Sequence, residues 1–315
     1  MSSSQSTSLP PPGAGDRVAY FGGAWIPQNS LTLSIDDLGF RQGVTAVERL
    51  RTYGGQAFQT AKHLDRFTQT TRAIDIAGLP ARAEIANLIR ELLVRNQRFV
   101  ASQGEVGITL FATPGIVGAN RPSFALHLNP LSHQRNEARQ TEGQTLVVTD
   151  VVQPPEACWP RAAKVRSRLH YYRADRFARA LAQEAATSTL EPAPPHSSDA
   201  SGVLLDQDGS ITETSIANLA IVENQTIYSP AANQVLAGIT QAVVEELAAA
   251  AGIVWKKERL APARLFAADE VLCMGTDTGI WFARSVLPEA AAIRQPGGVY
   301  SLLHAAFAKR TSERI

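Results

Sequence analysis

The sequence predicts an α+β protein built as two domains, and three observations carry that expectation. Short runs with strand character and longer runs with helical periodicity occur in both halves of the chain. Its 315 residues, 44% of them apolar, are enough for two cores at roughly 100–200 residues per domain. Near the middle, Gln153 to Ala163 carries Pro154, Pro155 and Pro160. That segment can be neither regular helix nor central strand, because each proline lacks a donor and restricts the residue before it. The expected organisation is a disordered tail at 1–15, an N-terminal α/β domain at 16–152, an interdomain linker at 153–163 and a C-terminal α/β domain at 164–315.

The elements follow in order. Val18 to Phe21 and Ala24 to Ile26 flank Gly22-Gly23, a dipeptide suited to a tight hairpin. Helices are expected from about Leu64 to Ile76 and from Arg82 to Arg95, where Ile85, Leu88, Ile89 and Leu92 repeat at helical spacing. Strand-like stretches occupy Val106 to Phe111, Phe124 to Leu128 and Thr145 to Val151, all assigned to the first domain. Beyond the linker a long helix is expected to bury Ala174, Phe177, Ala178, Leu181, Ala182 and Ala185. The polar stretch Thr187 to Ser201 has the character of a surface insertion. Val203 to Leu205, Ser210 to Thr214, Ala217 to Val222 and Thr226 to Tyr228 have strand character, followed by a helix over Thr240 to Ala251, a strand over Val271 to Met274 and a helix over Ser301 to Lys309.

Charge and cysteine content narrow the function. Thirty basic residues against twenty-nine acidic ones leave no net field for nucleic acid or an anionic membrane. No stretch approaches the ~18 consecutive apolar residues of a membrane span. Cys158 and Cys273 have no metal-ligand spacing, so neither a disulfide framework nor a metal site is expected, and a cytoplasmic setting fits.

Five motifs carry chemistry. Asp36-Asp37-Leu38-Gly39-Phe40-Arg41-Gln42-Gly43 is followed by Glu48-Arg49-Leu50-Arg51 and by His63-Leu64-Asp65-Arg66, which puts a cation in the first turn of a helix. In Thr212-Glu213-Thr214-Ser215 a carboxylate ends one strand, and Asn218 begins the next. Such a carboxylate can hold a protonated ring nitrogen. Leu236-Ala237-Gly238-Ile239-Thr240 leads into a helix whose first amides are natural phosphate ligands; read as an ordinary loop, it makes Thr240 the N-cap. Met274-Gly275-Thr276-Asp277-Thr278-Gly279 ends a strand in a hydroxyl-rich turn able to grip anionic oxygens. Lysine is scarce. Lys62, Lys256, Lys257 and Lys309 have charged surroundings, whereas Lys164 stands between linker and helix, where burial would make it a nucleophile for a carbonyl carbon.

In this order the motifs resemble those of the fold-type IV (class IV) pyridoxal-phosphate enzymes, which comprise branched-chain aminotransferases, D-amino-acid aminotransferases and aminodeoxychorismate lyases. The resemblance covers roughly residues 18–310. It implies a two-domain, D-amino-acid aminotransferase-like fold with pyridoxal 5'-phosphate between the domains, and commonly a homodimer. It further implies that Arg66 binds the cofactor phosphate with the amides of Ile239 and Thr240 and with Thr276, and that Glu213 pairs with the pyridinium nitrogen. A tyrosine early in the central helix, Tyr171 or Tyr172, would bond the ring hydroxyl, and Lys164 would form the internal aldimine and shuttle the Cα proton. Arg66 is expected on an exposed helix surface, so its removal should weaken cofactor binding far more than folding.

One departure stands out. Family members place the lysine four or five residues before the Asn-Tyr that opens the helix, whereas Lys164 is followed by Val165-Arg166-Ser167-Arg168-Leu169-His170-Tyr171. Ungapped, Ser167 or Arg168 takes the lysine position. An insertion of two or three residues is preferred, because the helix start is irregular and no other lysine lies near. Val106-Gly107-Ile108-Thr109-Leu110-Phe111 lacks the arginine-and-histidine pair with which D-amino-acid enzymes bind a carboxylate. The expected substrates are therefore an apolar, branched-chain-like L-amino acid and 2-oxoglutarate. The alternatives are an aminodeoxychorismate lyase, releasing pyruvate and 4-aminobenzoate, and a non-catalytic relative without the aldimine lysine.

Overall fold

The computed structural model describes residues 17–119, 121–188, 199–289 and 293–313. The expected tail and the bulk of the 187–201 insertion lie outside the described residues; of the latter, Ala200 and Ser201 belong to a strand.

Strands β1 (Val18–Phe21) and β2 (Ala24–Pro27) form the expected hairpin, with Gly22 and Gly23 both at positive φ. A one-turn helix α1 (Leu38–Arg41) is capped by Asp37, whose carboxylate accepts from the Gly39 amide at 2.7 Å. Then come β3 (Ala46–Tyr53), β4 (Gln56–Ala57), α2 (Thr60–Ala73), α3 (Arg82–Arg95), α4 (Gln97–Gln103), β5 (Val106–Thr113) and β6 (Ser123–Pro130). Among the described residues the first sheet has the order β2-β1-β6-β5-β3-β4 and is antiparallel throughout. Helices α2 and α3 pack Phe67, Ile85, Ile89 and Leu92 against Leu50, Ile108, Leu110 and Leu126 of the sheet. Each such burial contributes about 1.5–3 kcal/mol.

Helix α5 (His133–Thr141) leads to β7 (Gln144–Val152). The sequence places β7 in the first domain; in the structure it belongs to the second sheet, between β13 (Gly279–Leu287) and β8 (Ala200–Leu205), parallel to both. Residues 144–148 are almost continuously buried, as both faces of a central parallel strand are covered. The second sheet runs β11-β10-β9-β12-β13-β7-β8 and includes β9 (Asn218–Glu223), β10 (Thr226–Ser229), β11 (Trp255–Lys257) and β12 (Glu270–Gly275). On one face α7 (Ile239–Ala250) and α9 (Gly298–Ser312) cover Leu272, Met274 and Ile280. A short helix α8 (Pro262–Ala267) supplies Leu265 to the opposite face.

The proline-bearing segment contains no helix or strand, and it leads into α6 (Leu169–Ser188). This helix buries Ala174, Ala178 and Ala182, while Phe177 is 48% exposed rather than inside as expected. The reason is close approach: a Cβ on Gly202 of β8 would lie 2.6 Å from the Ala174 backbone, so only small side chains fit the contact. Ser210 to Thr214, expected as a strand, makes only isolated bridges, Ile211 to Leu205 and Glu213 to Asn218.

Candidate active site

Helix α2 begins at Thr60, four residues before the sequence suggests, so Arg66 lies in its second turn and faces inward. The expectation of an exposed arginine is therefore wrong; Arg66 is 6% exposed. Its Nε donates to Glu48 Oε2 at 2.9 Å, Nη2 to Glu48 Oε1 at 2.6 Å, and Nη1 to the Ala237 carbonyl at 2.7 Å. Glu48 is completely buried because β3 alternates, directing Ala46, Glu48, Leu50 and Thr52 to one face. Burial opposes its ionisation, but Arg66 and His63 override that and hold the carboxyl well below the usual carboxylate range. His63 Nδ1 lies 3.0 Å from Glu48 Oε1, and burial lowers the His63 pKa. A neutral imidazole facing an ionised carboxylate carries its proton on Nδ1. The bidentate clamp thus fixes the guanidinium while leaving one N–H on each of Nη1 and Nη2 for another acceptor.

Those donors face the start of α7. Its N-cap is Gly238, not Thr240, and no side chain caps it, so the first-turn amides at Ile239 and Thr240 stay available to an anion. A Cβ on Gly238 would sit 1.9 Å from Asn218 Oδ1, which explains glycine there. Thr276 follows β12 and lines the same narrow cleft, together with Arg66, Lys164, Tyr171 and Glu213.

Glu213 is buried and accepts from Tyr171 Oη at 2.7 Å, Asn218 Nδ2 at 3.1 Å and the Leu236 amide at 3.2 Å, with Gln153 Nε2 at 3.4 Å. Burial raises its pKa against these donors and against Lys164. The structure separates the two candidate tyrosines: Tyr171 reaches the cleft, whereas Tyr172 is 59% exposed. Burial and Glu213 push the Tyr171 phenol well above its ordinary value.

Lys164 is half-buried, and its backbone is pinned. Its amide donates to Thr70 Oγ1 at 3.0 Å, its carbonyl accepts from the Val47 amide at 2.9 Å, and Val165 bridges to Ala46. Burial, followed by the nearby Arg66 and Arg168, pushes its amine down to about 8, while Glu48 and Glu213 pull the other way. All seven residues singled out from the sequence, Lys164, Arg66, Tyr171, Glu213, Ile239, Thr240 and Thr276, therefore meet at one cleft. An amine with a lowered pKa, a buried carboxylate and the unpartnered donors of Arg66 and the start of α7 all line it.

Residues 45–286 match the sequence model of the family described as Amino-transferase class IV. The chain belongs to the class IV aminotransferase family. It is similar to Branched-chain-amino-acid aminotransferase-like protein 2 of Arabidopsis thaliana, 25% identical over 85% of this chain and 46% of that protein. Thus the chain spans about half the length of these plant relatives. It is also 25% identical to the D-alanine aminotransferase of Bacillus licheniformis, over 88% of this chain and 91% of that one. The crystal structure of the branched-chain amino acid aminotransferase of Escherichia coli shares the fold, with a TM-score of 0.79 at 19% identity, covering 93% of this chain and 94% of the other.

Within this class IV framework several contacts escape motif reading. Glu48 and His63 stand in quoted motifs, yet their shared contact with Arg66 needs β3 to be recognised as a strand, whose period of two turns Glu48 inward. Gln153, assigned to the linker, reaches both Tyr171 and Glu213. Arg49 forms a bidentate pair with Asp277 at 2.8 and 2.9 Å and donates to Asn129 and Thr109. No local signal links residues so distant in sequence. Among the described residues no helix is long and apolar enough to cross a membrane.

Proposed function

We propose that this protein is a pyridoxal-phosphate-dependent aminotransferase that moves an amino group from an amino acid to a 2-oxo acid. The observation that carries the reading is the convergence of Lys164, Glu213 and the Arg66–α7 anion cradle on a single cleft. The donor set fits the cofactor group by group. Free N–H groups of Arg66, the amides of Ile239 and Thr240, and Thr276 suit a phosphate; Glu213 suits a ring nitrogen; Tyr171 suits the ring hydroxyl; Lys164 suits the aldehyde. When bound, pyridoxal phosphate supplies an electrophilic carbonyl and a ring that withdraws electrons from the substrate Cα.

The chain's own residues supply the rest. With a pKa of about 8, Lys164 is neutral in roughly a tenth of molecules at pH 7, enough to act as nucleophile and to take the proton from the substrate Cα and hand it on. Burial raises the Glu213 pKa, while its hydrogen-bond donors and the Lys164 and Arg168 charges favour the ionised form, the form that would keep a ring nitrogen protonated. Arg66 is locked by Glu48, so its remaining donors need no reorganisation to meet a phosphate.

The reading extends to an apolar, branched-chain-like L-amino acid as donor and 2-oxoglutarate as acceptor. Val47, Ile216 and Trp281 offer apolar surface on the wall of the adjoining cavity. The test is the half-reaction: leucine, isoleucine or valine should convert the visible spectrum of the holoprotein to that of the aminated cofactor, and 2-oxoglutarate should reverse it. No change with these amino acids, together with release of pyruvate and 4-aminobenzoate from aminodeoxychorismate, would make the protein a lyase. Absence of any visible band after incubation with the cofactor would leave a non-catalytic relative.

A further inference from the structure

A cavity of about 510 Å³ opens beside the cleft and shares Lys164, Arg168, Ser215 and Thr276 with it. Five arginines line it: Arg49, Arg135, Arg139, Arg166 and Arg168. Two are already neutralised, Arg49 by Asp277 and Arg139 by Asp199, each through two hydrogen bonds of 2.6–2.9 Å. Among the described residues the other three, Arg135, Arg166 and Arg168, have no carboxylate within ion-pair distance, and of these Arg166 and Arg168 lie on the Lys164 segment while Arg135 is exposed on α5. Arg168 donates to the Ser215 carbonyl and lies 4.5 Å over the Tyr171 ring, which fixes it at the junction of cavity and cleft.

The local backbone explains the placement. Val165 bridges to Ala46 of β3, and the Arg166 amide donates to the Thr45 carbonyl at 3.0 Å, so residues 164–166 are extended and pinned. In an extended segment residues i and i+2 share a face. Lys164 and Arg166 both line the cavity and Val165 does not. Arg168 follows two residues later, on the stretch between Lys164 and α6. The cations also disfavour one another: burial, Arg168 and Arg49 all lower the Arg166 pKa. An anion placed between the two free guanidinium groups relieves that repulsion, and their planar donors match a carboxylate.

We propose that Arg166 and Arg168 form the subsite for the second carboxylate of a dicarboxylic substrate, a 2-oxo or 2-amino acid with a carboxylate at its far end. The assignment rests on the aminotransferase reading and specifies one partner of the reaction by its charge. In it, Lys164 meets the reacting carbon while Arg166, on the same face of the chain, meets the distal group. The Arg49–Asp277 and Arg139–Asp199 pairs are neutral overall, so the cavity's attraction for a second negative charge comes from its unpaired arginines, of which Arg166 and Arg168 are the two on the Lys164 segment.

The test compares dicarboxylic and monocarboxylic ligands. Calorimetric titration of the purified protein with glutarate and with butyrate should give tighter binding of glutarate, and Arg166→Gln should reduce that preference roughly tenfold, as expected for loss of one charge-assisted contact. Arg166→Lys should restore part of it. In steady state the ratio of KM for 2-oxoglutarate to KM for pyruvate should rise about tenfold in Arg166→Gln. Arg166 is exposed enough that the substitution should fold, which its melting curve checks. Equal binding of glutarate and butyrate to the wild type, or an unchanged preference in the variant, would overturn the subsite. A protein that transfers no amino group but prefers glutarate through Arg166 would overturn only the aminotransferase reading.

Discussion

Lys164→Met should make the cofactor-free protein more stable, although it removes the proposed nucleophile. The Lys164 amine falls from the ordinary lysine value of 10.5 to about 8, mainly by burial and then by the Arg66 charge. At about 1.4 kcal/mol per pH unit, keeping that ammonium in the folded cleft costs up to about 3 kcal/mol relative to the unfolded chain. The sign follows from proton binding. Below about pH 8 both states hold the proton and the whole penalty is present. Between about 8 and 10.5 the folded protein has released it while the unfolded chain keeps it, so the penalty fades and stability rises with pH. Methionine has similar length and no charge. Urea unfolding of wild type and variant, both free of cofactor, should show the variant ahead by up to about 3 kcal/mol at pH 7, with the gap closing towards pH 10.5. A variant less stable than wild type at pH 7, or a gap indifferent to pH, would refute the account of Lys164 as a strained, partly desolvated amine. The same substitution should abolish the pyridoxyl label that borohydride otherwise leaves on Lys164, as peptide mapping reads.

Three further substitutions probe the rest of the cleft. Arg66→Ala should cost about 3–5 kcal/mol of stability as well as cofactor affinity, because it strands the buried Glu48 carboxylate; urea unfolding and a cofactor titration measure the two losses, and a change in affinity alone would contradict the Glu48 clamp. Glu213→Gln should retain the cofactor, lower stability by about 1–3 kcal/mol through a donor turned towards donors, and slow Cα-proton removal in stopped-flow half-reactions. Gly238→Ala should cost about 1–3 kcal/mol and weaken cofactor binding, since its Cβ would drive Asn218 off Glu213; wild-type affinity and melting temperature would show that the loop simply moves aside.

The parts of the site legible in the sequence are those whose chemistry is local. Gly238-Ile239-Thr240 opens a helix, Glu213 and Asn218 face each other across one turn, and Lys164 is isolated in a chain that prefers arginine. Helix α3 is legible to its ends because Ile85, Leu88, Ile89 and Leu92 form an unbroken stripe. Helix α5 buries only Ala138 and Arg139, so no apolar stripe announces it. The misplacement of β7 has a different cause. Its apolar run states that it is a buried strand, but its partners begin 56 and 135 residues later, and a central parallel strand buried on both faces carries no alternation to indicate its neighbours. The place of Arg66 is legible in the sequence but its environment is not, since its inward direction depends on a helix start at Thr60 and on Glu48 turning inward from β3.

These long-range contacts also determine what holds the cleft in shape. Lys164 is pinned to Thr70 and Val47, Arg66 reaches across to the Ala237 carbonyl, and Arg49 and Arg51 both bond Asp277. Beside them Tyr53 and Phe58 pack edge-on against Phe307 of α9, an apolar seam between the first sheet's elements and the second core. The groups proposed to bind one cofactor are thus divided between the elements around the two sheets, with Arg66 on α2 beside the first and Glu213, Ile239, Thr240 and Thr276 beside the second. A ligand engaging both sides would add its binding free energy to the seam between them, so the proposed cofactor and this seam would stabilise each other. The Arg66–Glu48 clamp keeps this coupling from depending on the cofactor alone. It satisfies the buried charge beforehand and leaves one edge of the guanidinium for an anion, so binding of the proposed phosphate would complete a network that the fold has already positioned.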